Sequence, residues 1–294
     1  MTKTKRSILI TGATSGIGRH AAIHLHEQGH RVFATGRNEA AIAELNVMGL
    51  HAFRLDVTDA ASIAAAKRTI DELTDGAGLD VLVNNAGYGL FGPLEVLTED
   101  DVRQQFETNV FGLLAVTRAF LPQMRERGWG RIINVSSVGG RMTFPLAGAY
   151  TATKYAVESM SDALRMELAA FGIKVSLIEP GYIDTGFTST TLSHLDRYDG
   201  ENTPYAEAFA RAGDVERSIE RFAATPKAVT RAIEKAITRR RPRARYVAPW
   251  INSFGPWLAA LVPTSWLDAI MRRFAGLRAP KRLPSGAKAA LPSG

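Results

Sequence analysis

The segment ILITGATSGIG (8–18) constrains this chain more than any other. The apolar run SILI (7–10) leads straight into Gly12, Gly16 and Gly18, spaced G-x-x-x-G-x-G. A helical pattern that includes Ala21, Ala22 and Leu25 follows at once. Glycines in such a turn let the backbone bend sharply and come close to a pyrophosphate, whose charge the following helix N-terminus then meets. A nucleophile elbow would need serine at the centre of G-x-S-x-G, and GATSG has Thr14 there. The turn therefore points to a dinucleotide, provided that it follows the first strand of an alternating α/β chain.

The rest of the chain alternates in that way. Short apolar runs recur as SILI (7–10), RVFAT (31–35), HAFRL (51–55), VLVN (81–84), RIINVS (131–136), KVSLIE (174–179) and RYVA (245–248). Between them apolar residues recur at helical spacing, as in Val157, Met160, Leu164 and Leu168. Nearly continuous apolar strands separated by helices predict a parallel sheet covered on both faces. The expected architecture is one doubly wound, seven-stranded α/β domain over residues 1–250, with an extension over 251–294. Thr225-Pro226 supplies a cap followed by proline at the first helical position. The terminal SGAKAALPSG has the composition of a disordered end.

Composition narrows the function classes. The chain has no cysteine, which excludes a disulfide, a thiolate zinc centre and a cysteine nucleophile. The start MTKTKRS is basic, but the apolar stretch after it is too short for a signal peptide. A cytoplasmic enzyme is expected. Charge is uneven: residues 1–210 hold 19 Lys and Arg against 24 Asp and Glu, whereas 211–294 hold 17 against 5. Three of the four tryptophans, Trp250, Trp257 and Trp266, lie in that basic stretch.

The end of the second strand speaks to the choice of dinucleotide. A free ribose is usually held by a carboxylate about 20 residues beyond the turn. Here the chain reads Thr35-Gly36-Arg37, with no carboxylate and an arginine just beyond. A guanidinium there can pair with a 2′-phosphate, which favours NADP. Arg19 is a second cation for the same task.

The reactive groups lie further on. Tyr150 and Lys154 are four apart in AYTATKYAVESM, a helical pattern, so both side chains share one face. A cation fixed beside the phenol is expected to lower its pKa from roughly 10 and make it a usable proton donor or acceptor. Ser137 follows the strand RIINVS, at the sheet edge where α/β proteins bind ligands, and Asn109 lies on the helix before that strand.

These residues together resemble the short-chain dehydrogenase/reductase family over roughly residues 6–250. The shared motifs are TGATSGIG (11–18), Asp56 after the third strand, NNAG (84–87), Asn109, Ser137, Tyr150-x-x-x-Lys154 and PGYIDT (180–185). The resemblance implies that Tyr150 exchanges a proton with the substrate oxygen and that Ser137 orients that oxygen. It implies that Lys154 lowers the tyrosine pKa and binds the nicotinamide ribose, while Asn109 supports a proton-relay water. It also implies a cofactor site made of Gly12, Thr14, Ser15, Gly16, Ile17 and Gly18, with Asp56 and Val57 at the adenine. Asn85, Ala86 and Gly87 would stand on the ribose side, and Pro180, Gly181, Ile183 and Thr185 near the carboxamide and phosphates. NAGYGLFGPLE, VSSVGGRMTFP and LAAFGIKVSLIEPG are similar to the 17β-hydroxysteroid and retinol dehydrogenase branch, which implies a bulky apolar alcohol or ketone. Two alternatives are an acyl-thioester reductase whose basic tail docks an acidic carrier, and a non-catalytic NADP-sensing module. A homodimer or homotetramer is expected.

Four other features bear on function. His20, His24, His26 and His30 have chelating spacing but sit on the helix that follows the phosphate turn, so a helix face is expected rather than a metal site. The run RRRPRAR (239–245) lacks an aromatic platform for nucleic acid and suits a helix C-terminus leading into the last strand. Residues 246–267 carry no charge, but Pro249, Pro256 and Pro263 break them at intervals of seven, against a membrane span. The tail places Trp257, Leu258, Leu261, Val262, Trp266, Leu267, Ile270 and Phe274 at helical spacing. Arg272, Arg273, Arg278, Lys281 and Arg282 lie among or after them. The tail is therefore expected to shield an apolar substrate cleft and to touch anionic membrane weakly.

Overall fold

The structure, a computed structural model, describes residues 5–185, 204–205, 207–209, 211 and 223–277. Seven strands form a single sheet: β1 (Ser7–Ile10), β2 (Arg31–Gly36), β3 (His51–Arg54), β4 (Val81–Asn84), β5 (Gly130–Val135), β6 (Ile173–Pro180) and β7 (Arg245–Ala248). Their spatial order is β3-β2-β1-β4-β5-β6-β7, and every pairing is parallel. The strands stand where the apolar runs predict them, with ends shifted by a residue. The order reverses between β1 and β4, so the crevice beyond their C-terminal ends is the topological switch point of the fold.

Side chains alternate across the sheet and fill two apolar layers. On one face Ile8, Ile10, Val32, Val81 and Ile133 pack with Ala21 and Leu25 of α1 (Gly16–Glu27), Leu45 of α2 (Glu39–Val47) and Ile233 of α7 (Pro226–Thr238). On the other, Leu9, Phe33, Leu82 and Ile132 pack with Ile70 of α3 (Ala60–Leu73) and Phe120 of α5 (Leu113–Arg127). Each such fully buried side chain contributes about 1.5–3 kcal/mol relative to exposure. Thr225 caps α7 with Pro226 at its first position, as the dipeptide predicts.

One helix departs from its pattern. Between α4 (Glu99–Phe106) and α5 the chain takes a π-helical turn, Glu107–Gly112. Gly112 sits so close to Val57 that an added Cβ would stand 2.8 Å from Val57 Cγ2. Widened turns of this kind cluster at functional sites, and this one presents Asn109. Helix α6 (Gly148–Glu167) lies beyond β5 and carries the tyrosine–lysine pair.

After β7 the chain forms a 3-10 turn (Trp250–Ser253), then α8 (Phe254–Leu261) and α9 (Thr264–Phe274). No helix among the described residues is long and apolar enough to cross a membrane. The uncharged stretch 246–267 is divided among β7, the 3-10 turn, α8 and the start of α9. The terminal SGAKAALPSG and the cations Arg278, Lys281 and Arg282 lie outside the described residues.

Candidate active site

The glycine turn is closed from behind by the loop after β4. A Cβ on Gly12, whose φ is +65°, would stand 2.8 Å from Ala86 Cα, and one on Gly18 would overlap the Gly12 carbonyl oxygen. Asn85 donates from Nδ2 to the carbonyls of Thr11 and Gly12, 3.0 Å each. The Asn85 and Ala86 amides donate to Thr11 Oγ1, also at 3.0 Å. Asn85 thus braces the turn from behind. Ser15 caps α1 without a side-chain hydrogen bond, is exposed, and precedes a first turn with no acidic residue. That end of α1 has the donor set a pyrophosphate needs. Ile17 packs against the sheet layer. Thr185 lies over Gly16, with its Cβ 3.2 Å from an added glycine Cβ. Its segment is tied down by Gly181 N donating to Ala248 O after Pro180 ends β6, and by the bridge of Ile183 to Ala224.

At the end of β2, a Cβ on Gly36 would meet Thr14 Cγ2 and Oγ1 at 2.6 Å. A side chain here, and so a carboxylate, would require Thr14 to move. Arg37 is 67% exposed, with Nη1 3.8 Å from Asp56 Oδ2. Burial pushes the Asp56 pKa up, but hydrogen bonds from the Thr58 amide and hydroxyl, helped by Arg37 and Arg54, bring it below the ordinary value. Val57 is buried beside the π-helical turn. Arg19 is engaged elsewhere: its guanidinium pairs with Glu44 at 2.9 Å.

The reactive residues converge at the ends of β4 and β5. Lys154 Nζ donates to Val135 O at 3.0 Å and lies 5.7 Å from the Tyr150 ring centroid. Asn109 is buried; Oδ1 accepts from Tyr88 N at 3.0 Å, while Nδ2 donates to Tyr88 O at 2.9 Å and Thr153 Oγ1 at 3.1 Å. A Cβ on Gly87 would stand 2.9 Å from Asn109 Oδ1 and 3.9 Å from Lys154 Nζ. Ser137 caps the 3-10 turn Val138–Gly140, accepting from Gly139 N at 3.0 Å, and also hydrogen-bonds to Tyr150.

The electrostatics correct one expectation. The Tyr150 pKa is not lowered but pushed up to about 12. Removal of the phenol from water outweighs the hydrogen bond from Ser137, and Tyr182 nearby adds to the rise. Burial drives Lys154 down to about 8, against the pull of Glu158. The ammonium is anchored on a strand carbonyl rather than on the phenol oxygen. As it stands, Tyr150 is a protonated group beside a serine hydroxyl, which is the state of a proton donor.

Several neighbours escape the sequence reading. Phe91 stacks obliquely on Tyr150 with centroids 5.8 Å apart, and Leu94 packs over Gly148 and is itself exposed. The start of α8 packs on the segment after the 3-10 turn Val138–Gly140, with Met142 Sδ 3.3 Å from a Cβ placed on Gly255. Behind Lys154 lie the buried carboxylates Glu158 and Glu179. Arg245 Nε is 2.9 Å from Glu158 and 3.3 Å from Glu179, and Arg141 is 3.6 Å from Glu179. Desolvation lifts Glu179 to about 7. The spacing of Tyr150, Lys154 and Glu158, four and four, is the sequence signal that could have found Glu158. The histidines serve structure: His20 bonds Thr230 at 2.8 Å, and His24 meets Glu234 of α7 at 3.1 Å, a carboxylate 210 residues away. Among the described residues, no group of three His, Cys, Asp or Glu side chains has a metal-binding arrangement.

With this geometry stand the comparisons. The family model for short chain dehydrogenases matches residues 6–196. The chain belongs to that family of oxidoreductases. It is 38% identical over 270 residues to the 3-ketodihydrosphingosine reductase of Bacteroides thetaiotaomicron, covering 91% of this chain and 95% of that one. To human retinol dehydrogenase 16 it is 37% identical over 277 residues, covering 90% and 87%. Among solved structures it resembles a serine dehydrogenase complexed with NADP+ (TM-score 0.72, 30% identity, 82% and 93% covered). It also resembles a Burkholderia phymatum short chain dehydrogenase/reductase in complex with NAD (TM-score 0.76, 25% identity, 89% and 95% covered).

Proposed function

We propose that this protein is an NADP(H)-dependent oxidoreductase that interconverts a bulky, lipid-like ketone or aldehyde and its alcohol, with Tyr150 moving the proton. The observation that carries the reading is the protonated Tyr150 phenol held by Ser137, with Lys154 against its ring and Asn109 behind. The cofactor, when bound, supplies or accepts the hydride at the substrate carbon. Every other task falls to side chains. Ser137 donates to the substrate oxygen and orients it. Tyr150 passes its phenolic proton to that oxygen as the carbon is reduced, and takes it back in oxidation. The Lys154 ammonium stabilises the phenolate left behind, and it is the natural contact for ribose hydroxyls. Asn109 positions the loop at Tyr88 and connects it to Thr153 on the tyrosine helix; a relay water would be held at this point.

Residues 12–18 would take the pyrophosphate and Asp56 with Val57 the adenine. Residues 85–87, 180–181, 183 and 185 would enclose the nicotinamide half. Preference for the 2′-phosphate rests on Arg37, exposed and free to swing from its 3.8 Å contact, and on Gly36, where the carboxylate that NAD sites use would require Thr14 to move. An apolar substrate is supported by Phe91 and Leu94 beside the tyrosine helix. Relatives named for ketodihydrosphingosine and retinol support it too.

The test is a panel comprising a long-chain 3-ketone, a retinoid aldehyde, a 3-oxoacyl thioester and, in the oxidative direction, serine. Turnover is followed at the reduced-nicotinamide absorbance. The expected result is fastest turnover of the lipid ketone or retinoid with NADPH, and loss of the preference over NADH in Arg37→Ala. Best activity on serine, or an NADH preference in the wild type, overturns the reading.

A further inference from the structure

The cations of α7 form a row. Lys227, Arg231, Lys235 and Arg239 follow one another at intervals of four, and all four are exposed. Lys227, Arg231 and Lys235 lie on one face of α7, one turn apart, and Arg239 follows as the extended residue at its C-terminal end. Among the described residues, none of the four is paired with a carboxylate. Like charges at i, i+4 destabilise the helix that carries them, so the row is retained at a cost to the fold.

The row borders a groove. Arg231, Lys235, Arg239 and Arg243 line it together with Tyr246, Pro249 and Trp250. The Trp250 residue is 70% exposed, and Ile251 beside it is exposed as well. The chain then runs directly into α8 and α9. In α9, Trp266, Ile270 and Phe274 stand on successive turns, 69%, 55% and 65% exposed, and the helix has no buried residue. Arg273 falls on the same side, and Asp268 on the opposite one, by the helical period. The start of α8 meets the body at Met142. The apolar residues further along face away from the protein.

We propose that the cationic row of α7, with Trp250 and the apolar stripe of α9, docks this enzyme on the surface of an anionic lipid bilayer. Cations alone would suit any anion, and apolar rings alone would suit any apolar partner. Large aromatic and aliphatic side chains beside unpaired lysines and arginines match the headgroup boundary of an anionic membrane. A second copy of the chain fits less well. A two-fold interface sets a patch against itself, and here it would bring four unpaired cations toward four more.

The experiment uses the full-length protein and vesicles of phosphatidylcholine alone or mixed with phosphatidylglycerol, read by co-sedimentation. Binding is expected to the mixed vesicles only and to weaken as salt is raised. Arg231→Glu with Lys235→Glu should lower vesicle affinity roughly tenfold or more. Trp266→Ser with Ile270→Ser should lower it independently, since the apolar stripe is on a different helix. Circular dichroism melts on each variant identify any that has lost its fold, and two separate pairs keep the outcome readable if one does. No binding to mixed vesicles overturns the proposal. So does binding unchanged in both folded variants, or concentration-dependent self-association that either pair abolishes while vesicle binding is absent.

Discussion

In the proposed reaction the chemistry turns on Tyr150, and its surroundings differ from a simple cation–phenol pair. Lys154 is four residues on, as the sequence shows, yet its ammonium bonds the Val135 carbonyl and lies 5.7 Å from the ring. Spacing on a helix fixes which side chains share a face; it does not fix which acceptor a long flexible lysine reaches. The same limit explains Asn85 and Arg19, both legible as cofactor candidates. One braces Thr11 and Gly12, and the other pairs with Glu44. On the proposed mechanism, proton transfer needs the Tyr150 hydroxyl, whereas cofactor binding draws on the glycine turn and on Lys154. Tyr150→Phe should therefore cut turnover by about 10²–10⁴ while leaving NADPH affinity within a factor of about two. Single-turnover assays and fluorescence titration of the variant measure the two quantities separately.

At the scale of elements, strands and helices were largely readable because buried parallel strands are continuous apolar runs bounded by glycine and polar turns. The π-helical turn Glu107–Gly112 was not readable. It ends at a tertiary contact, Gly112 against Val57, and local periodicity carries no sign of either. The arginine run 239–245 leads from the C-terminus of α7 into β7, as its composition predicts, but its last member has a role no local pattern shows. Arg245 joins three elements by pairing with Glu158 and Asp162 of α6 and lying beside Glu179 of β6. Replacing it leaves two buried carboxylates, Glu179 with only the distant contact of Arg141 and Glu158 with only the field of Lys154. Arg245→Met should destabilise the protein by about 3 kcal/mol, the cost of breaking a buried ion pair. The midpoint of urea unfolding at neutral pH measures this. A shift of less than about 1 kcal/mol, typical of an exposed pair, would show that solvent already screens the cluster.

At the scale of the whole molecule, the charge asymmetry seen in the sequence becomes a division of surfaces. The slightly acidic body holds the crevice at the β1–β4 switch point, and the basic C-terminal part supplies α7, β7 and the aromatic tail. The sheet, the switch point and the identities of the reactive residues follow from motif and alternation. The apolar neighbourhood of the site does not, because Phe91 and Leu94 come from the loop after β4 and Tyr182 from the segment after β6, brought to Tyr150 and its helix only by the fold. That neighbourhood is also where substrate length would be felt. Each buried methylene contributes about 0.8 kcal/mol, so a pocket built for lipid-like chains should gain severalfold in kcat/KM with each one until it is filled. The most direct measurement is kcat/KM with NADPH across a homologous series of 3-ketones of increasing chain length. A rise with length followed by a plateau is the predicted result. A flat profile, or one that favours short polar substrates, would contradict the account.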